Sequence, residues 1–136
     1  MLGIGTDIVE VHRFLPWTTY SDHRLKKIFT MQEIDDCTDN YKKKSAEKLA
    51  VRFAAKEAFY KALSLILINQ KIDFRPFSFL QTCQCISVHL EKYGIPQLIV
   101  NWLELSLLSK IDLPHRMVYL SIAHERTMAI AFVIIQ

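Results

Sequence analysis

The sequence predicts one α+β domain in which a mainly antiparallel sheet packs against a long central helix. Three observations lead there. The stretch from about Ser45 to Ile66 is rich in alanine and straight-chain residues and contains no Gly or Pro, a strong helix signature. Met117 to Ala123 and Met128 to Ile135 are β-rich runs separated by His124-Glu125-Arg126-Thr127, the pattern of a terminal hairpin. Leu2 to Val9 is a third apolar run, and its Gly3 and Gly5 mark a strand approached closely by other backbone or by a ligand. No linker, repeat or low-complexity tract divides residues 1–136, so the chain reads as a single domain.

Between these landmarks the elements follow in order. After the first strand, Asp7-x-x-Glu10 imitates a helix-capping box, and Val11 to Phe14 reads as a short helix stopped by Pro16. Ser21 to Asp39 reads as helical pieces, the second opened by a capping box at Thr30 and Glu33. Asp39-Asn40-Tyr41 marks a loop, and Lys42-Lys43-Lys44 leads into the central helix. Beyond that helix, Asp73 to Phe79 with Pro76 reads as an irregular, aromatic-rich connection. From about Cys83 to Leu90 the residues alternate as in a half-buried strand, Lys92-Tyr93-Gly94 turns the chain, and Gln97 to Val100 returns. A further helix is expected over about Asn101 to Lys110.

Composition excludes several classes. With 51% apolar and 23% charged residues the chain is globular, not disordered. The net charge of +3 suits an acidic partner or a phosphorylated substrate but is small for a dedicated nucleic-acid binder. Cys37, Cys83 and Cys85 form one C-x-C with no second pair or His spacing to complete a zinc site. No signal-peptide pattern opens the sequence, and the longest apolar run, Met128 to Ile135, is too short for a membrane-spanning helix. A cytoplasmic protein with no membrane partner is the expectation.

The central helix has two characters. At about 100° per residue, Val51, Ala55, Ala58, Phe59, Ala62 and Ile66 share one broad apolar face. Glu57 and Lys61 lie one turn apart elsewhere, as do Arg52 and Lys56, with Leu49, Phe53 and Tyr60 in the arc between the two pairs. Four charges set in so much apolar surface need partners. Two explanations stand side by side. One is an i,i+4 Glu57–Lys61 ion pair with Arg52 and Lys56 solvated. The other is a metal-holding carboxylate, Glu57, among cations that grip phosphate oxygens.

Three stretches now stand in order: Gly3-Ile4-Gly5-Thr6-Asp7-Ile8-Val9-Glu10, then Arg52-Phe53-Ala54-Ala55-Lys56-Glu57-Ala58-Phe59-Tyr60-Lys61-Ala62-Leu63, then Leu120-Ser121-Ile122-Ala123-His124. Together they resemble the 4'-phosphopantetheinyl transferase superfamily, and the chain length and first stretch look like its small holo-acyl-carrier-protein synthase branch. The resemblance implies that family's fold and its reaction: transfer of the phosphopantetheine arm of coenzyme A to a serine of an apo acyl carrier protein, with release of adenosine 3',5'-bisphosphate. It places magnesium on Asp7 and Glu57, which agrees with the habit of Mg²⁺ to take one or two carboxylates and complete its shell with water and phosphate oxygens. Lys56 and Lys61 would then stabilise phosphate oxygens, and either a metal-associated water or Glu57 would accept the serine proton.

The same resemblance assigns Arg52 and His124 to the 3'-phosphate of coenzyme A, with Lys44 as a further candidate by position. Arg13, Arg24, Lys26 and Lys27 would meet the acidic carrier protein. A homotrimer with active sites between subunits is implied as well. Three positions depart from the family pattern: Val51 where glycine commonly precedes the arginine, Ile95 where Gly-Lys-Pro is common, and Ala123 where a small hydroxyl residue is frequent. They leave room for a binding module that kept the fold and lost turnover. A nucleic-acid-binding domain using Lys42 to Lys44 gives no reason for Asp7 and Glu57 in their stretches, because carboxylates in such a groove oppose binding.

Overall fold

The structure, a computed structural model, describes residues 2–73 and 77–136. Its strands are β1 (Gly3–Glu10), β2 (Ile86–Leu90), β3 (Pro96–Val100), β4 (Val118–His124) and β5 (Met128–Ile135). Its α-helices are α1 (Asp22–Leu25), α2 (Met31–Asp36), α3 (Ala46–Asn69), α4 (Phe79–Cys85) and α5 (Trp102–Ser109). Both sheets are antiparallel: a three-stranded sheet ordered β1-β5-β4 and a β2-β3 hairpin.

α3 organises the molecule. Ser45 caps its start by accepting from the Lys48 amide, and the helix runs through the middle of the core. The predicted face of Val51, Ala55, Ala58, Phe59, Ala62 and Ile66 is buried throughout, and so are Leu49, Phe53, Leu63 and Leu67. Each large apolar side chain buried this way contributes about 1.5–3 kcal/mol. One side of α3 packs on β1 and β5, whose inward residues Val9, Ala129, Ala131, Val133 and Ile135 alternate with outward ones as strand geometry requires. Gly3 and Gly5 let α3 come this close. A Cβ on Gly5 would collide with the Ala58 carbonyl oxygen, and one on Gly3 with that of Ala62. The other side of α3 meets α2, α4 and β2, so little of the helix is left for solvent.

Two local expectations change. Asp7 is not a helix cap; it lies inside β1 opposite Ala131, and Glu10 precedes the 3₁₀ turn Val11–Phe14 without a side-chain cap. Residues 79–85 form α4, opened by a capping box between Ser78 and Gln81, so the strand begins at Ile86 and not near Cys83. The Asp73 to Phe79 connection lies partly on residues 74–76, Pro76 among them, outside the described residues. From Ile86 the expected alternation holds through His89, with Ile86 and Val88 buried and Ser87 and His89 half-buried, and it ends at Leu90, which is exposed. The remaining boundaries agree with the sequence to within a few residues. Asn101 caps α5, and Lys110 closes it in the left-handed region at φ 58°.

Candidate active site

Asp7 shares the inward parity of Gly5 and Val9 on β1 and therefore faces α3. Lys61 reaches it from the helix: its Nζ lies 2.8 Å from Asp7 Oδ1 and donates to the Thr6 carbonyl at 3.0 Å. The helix-internal Glu57–Lys61 pair is thus replaced by a pair across to the strand. Glu57, one turn before Lys61, is half-buried beside them. Its carboxyl is pushed above the ordinary carboxylate range, first by burial and next by the negative charge of Asp7, while Lys61 and Arg13 pull the other way. Four charges from three elements converge here.

Two carboxylates placed so that the charge of Asp7 acts on Glu57, in a half-sheltered position, fit the small protein share of a magnesium shell. They do not form a closed metal cage; among the described residues no group of three or more His, Cys, Asp or Glu could hold an ion by itself. An ion with only two protein ligands leaves the rest of its shell to water and substrate oxygens, as phosphate chemistry requires.

A second cluster lies on the opposite flank of α3. Arg52 is five residues from Glu57, so its side chain points about 140° away around the helix at about 100° per residue. It lines a groove of about 370 Å³ together with Val51, Lys48, Glu47, Ile122 and His124, and Gly94 and Pro96 of the β2-β3 turn reach the same groove. Arg52 is 3% exposed. Its Nη1 donates to the Lys48 carbonyl at 3.2 Å, Nη2 lies 3.9 Å from Asp36 Oδ2, and its buried Nε has no hydrogen-bond partner among the described residues. Arg52 thus brings a guanidinium to the wall of the groove, a charge and fork geometry that suit an anion. His124, at the end of β4, has Nδ1 3.9 Å from Glu47 Oε2. Arg52 and His124, paired by the resemblance, share this groove with Lys48 and Glu47 of the first turn of α3, which no motif singles out.

Other assigned cations are placed elsewhere. Lys56 does not face either cluster. Its side chain is wholly buried, its Nζ lies 2.6 Å from Glu33 Oε1, and it donates to the carbonyls of Ile28 at 2.7 Å and Ile86 at 3.0 Å. With those partners it has no donor left for a phosphate. Lys44 is held 3.3 Å from Asp22, at the foot of α1, and does not line the Arg52 groove. Arg13 lies over the rings of Phe14 and Phe53, 5.6 Å from each centroid, and belongs with Glu57 as much as with an outer surface. Arg24 stacks on Tyr20 at 3.6 Å and, with Trp17, Leu25, Lys27 and Ile28, lines a hollow of about 220 Å³. Lys26 is exposed nearby.

A family model described as 4'-phosphopantetheinyl transferase superfamily matches residues 3–109, a span that includes Asp7, Glu57 and Lys61. The chain belongs to that superfamily. A holo-acyl-carrier-protein synthase of Treponema pallidum is 36% identical over 136 residues, covering 100% of this chain and 96% of its own length. The holo-(acyl-carrier-protein) synthase of Bacillus anthracis, solved in complex with CoA (3',5'-ADP), superposes with a TM-score of 0.63 at 28% identity, over 98% of this chain and 94% of that one. The Chronobacterium ammoniagenes ACPS-CoA complex has the same fold, with a TM-score of 0.74 at 22% identity over 100% and 97% of the two chains. Fold class and family therefore agree with the sequence reading. No described helix is long and apolar enough to cross a membrane.

Proposed function

We propose that this protein is a holo-acyl-carrier-protein synthase: it transfers the 4'-phosphopantetheine group of coenzyme A to a serine of apo acyl carrier protein and releases adenosine 3',5'-bisphosphate. The observation that carries the reading is the convergence of Asp7, Glu57 and Lys61 between β1 and α3, in a chain whose synthase relatives align with it from end to end. In the reaction the serine oxygen forms a bond to the β-phosphorus of coenzyme A as the bond to the departing bisphosphate breaks. The protein's task is alignment and charge stabilisation.

Asp7 and Glu57 would hold magnesium, which when bound supplies positive charge to the pyrophosphate. Lys61 is the mobile cation for nonbridging or departing oxygens. Either a metal-associated water or Glu57 would accept the serine proton. Arg52 and His124 take the 3'-phosphate in their groove, with Lys48 beside them. Lys56 is a positioning residue that orients α3. Arg24 and Lys27, around the aromatic hollow, meet the acidic carrier, joined by Lys26 and the outer reach of Arg13. Lys44 serves the fold through Asp22.

The opposite-flank arrangement bears on assembly. One coenzyme A molecule bound to a single chain would have to wrap around α3 to meet both clusters, whereas a neighbouring copy can bring its Arg52 and His124 to this copy's Asp7 and Glu57. The outer face of the β1-β5-β4 sheet supports such a neighbour, since Ile4, Ile8, Ile130, Phe132 and Tyr119 stand exposed on it. The exposed face supports a self-association with sites between subunits, and the resemblance to the small synthases is what makes that assembly a homotrimer in this reading. Three free, buried thiols suit a reducing cytoplasm.

The test is incubation of the purified protein with coenzyme A, magnesium and apo acyl carrier protein, followed by intact mass spectrometry of the carrier. A mass increase of one phosphopantetheine on the carrier serine is expected. Tight binding of coenzyme A with an unmodified carrier would favour a binding-only module instead.

A further inference from the structure

We propose that Lys61 is a placeholder cation: in the substrate-free protein its ammonium occupies Asp7 and holds metal affinity down, and it moves to a phosphate oxygen only when metal and substrate enter together. The inference rests on the assignment of Asp7 and Glu57 as metal ligands and adds to it an order of events.

The geometry supports it in three ways. Lys61 Nζ lies 2.8 Å from Asp7 Oδ1, a full charge-assisted contact on an oxygen a metal would use. The two partners are unequally held. The Asp7 side chain is 14% exposed, whereas that of Lys61 is 50% exposed, and its long stem carries a compact charge that can swing while the strand carboxylate stays. The second cation near Glu57, Arg13, makes no contact with Asp7 and lies instead over the rings of Phe14 and Phe53. Of the two cations acting on Glu57, Lys61 is the one seated on the metal-facing carboxylate, and moving it releases Asp7 and the Thr6 carbonyl together.

Consequences follow from charge alone. A divalent ion approaching the free protein meets a carboxylate already neutralised and a like charge at its position. A phosphate anion arriving with the ion gives the ammonium a new partner and removes both obstacles. Metal and pyrophosphate should then bind with positive coupling, each raising the affinity of the other.

The experiment is a Mn²⁺ titration of the substrate-free protein, reading free ion by electron paramagnetic resonance, for wild type, Lys61→Met, Lys61→Gln, Lys61→Arg and Asp7→Asn, with thermal melts to confirm folding. The Met and Gln variants should bind Mn²⁺ about tenfold or more tightly than wild type, as removal of an adjacent unit charge predicts, while losing transfer activity. Lys61→Arg should stay near wild type, and Asp7→Asn should bind most weakly. Adding inorganic pyrophosphate should raise Mn²⁺ affinity in wild type and much less in Lys61→Met. Equal affinity in wild type and both neutral variants, with Asp7→Asn still weakened, overturns the placeholder role and leaves the metal site standing. Tightening by Lys61→Arg equal to that by Lys61→Met also overturns it, since charge would not be the cause. No Mn²⁺ bound by any variant at millimolar concentration, with or without pyrophosphate, overturns the metal site and the placeholder with it.

Discussion

Lys56 Nζ lies 2.6 Å from Glu33 Oε1, with both side chains shut off from water. Around that contact Glu33 Oε1 accepts from the Thr30 amide at 2.9 Å and Oε2 from the Val88 amide at 3.0 Å, while Lys56 ties in the Ile28 and Ile86 carbonyls. One ion pair thus links α2, α3 and β2. Because Glu57 follows Lys56 directly, anchoring Lys56 on one flank of α3 sets the rotation that turns Glu57 toward Asp7.

Removing one partner leaves the other charge buried and unpaired. Lys56→Met and Glu33→Gln should therefore each cost about 3–5 kcal/mol in denaturant unfolding, and an apolar replacement of both should recover much of the loss. Normal stability in Lys56→Met, with a raised KM for coenzyme A, would instead place Lys56 on the substrate.

Gly5→Ala forces a methyl group onto the Ala58 carbonyl, so β1 and α3 must separate. Overpacking against rigid backbone should destabilise the fold by about 3 kcal/mol or more, and Asp7 should lose its position with the strand. Calorimetry and transfer rate should fall together. A normal melt for Gly5→Ala would mean that the strand and helix are farther apart.

The thiols give a pH dependence. Burial pushes Cys37 up to about 11, Cys83 to about 12 and Cys85 to about 11, from an ordinary value of 9.0. Above pH 9 the unfolded chain gives up thiol protons that the folded chain keeps. Stability present below pH 9 should thus decline as pH rises toward 11 or 12. Replacing the three cysteines with alanine should flatten that part of the stability–pH curve. The native thiols should also resist iodoacetamide at pH 8 and react once the protein is unfolded; fast alkylation of the folded protein would contradict their burial.

On the outer sheet face, Ile8→Lys with Phe132→Lys places two charges where a neighbouring copy is expected. Light scattering at micromolar concentration should show a trimer for wild type and a monomer for the double variant, with transfer lost in the monomer because each site then lacks its other half. A fully active wild-type monomer would remove the shared site.

How far the sequence carried is clear from particular residues. The strand from Met128 to Ile135 was legible as a short β-rich apolar run and the helix from Ser45 by its composition, and Gly3 and Gly5 announced a close approach to β1 by backbone or ligand, which proves to be α3. The buried pairing of Lys56 with Glu33 is not legible in the sequence, because adjacency in the chain is not adjacency in space: Lys56 and Glu57 share a motif but point about 100° apart. Glu33 was hidden behind a genuine capping box with Thr30, in which the same carboxylate serves a second, buried partner. α4 was missed although Ser78-x-x-Gln81 announces it, because Cys83, Cys85 and Ser87 continue an alternation that begins only at Ile86. The Asp7–Lys61 pair is 54 residues apart in the chain, so no local pattern could reveal it.

Asp7 and Glu57 are expected to act as one metal-holding unit. The direct measurement is magnesium-dependent formation of holo acyl carrier protein by wild type, Asp7→Asn, Glu57→Gln and the double variant, with thermal melts alongside. All four should melt within a few degrees of one another. Each single substitution should abolish most transfer, and the double should be scarcely worse than either, since the first change already disables the shared ion. Single variants that melt normally and still transfer at near wild-type rates under limiting magnesium would contradict the claim and leave α3 with a purely structural role.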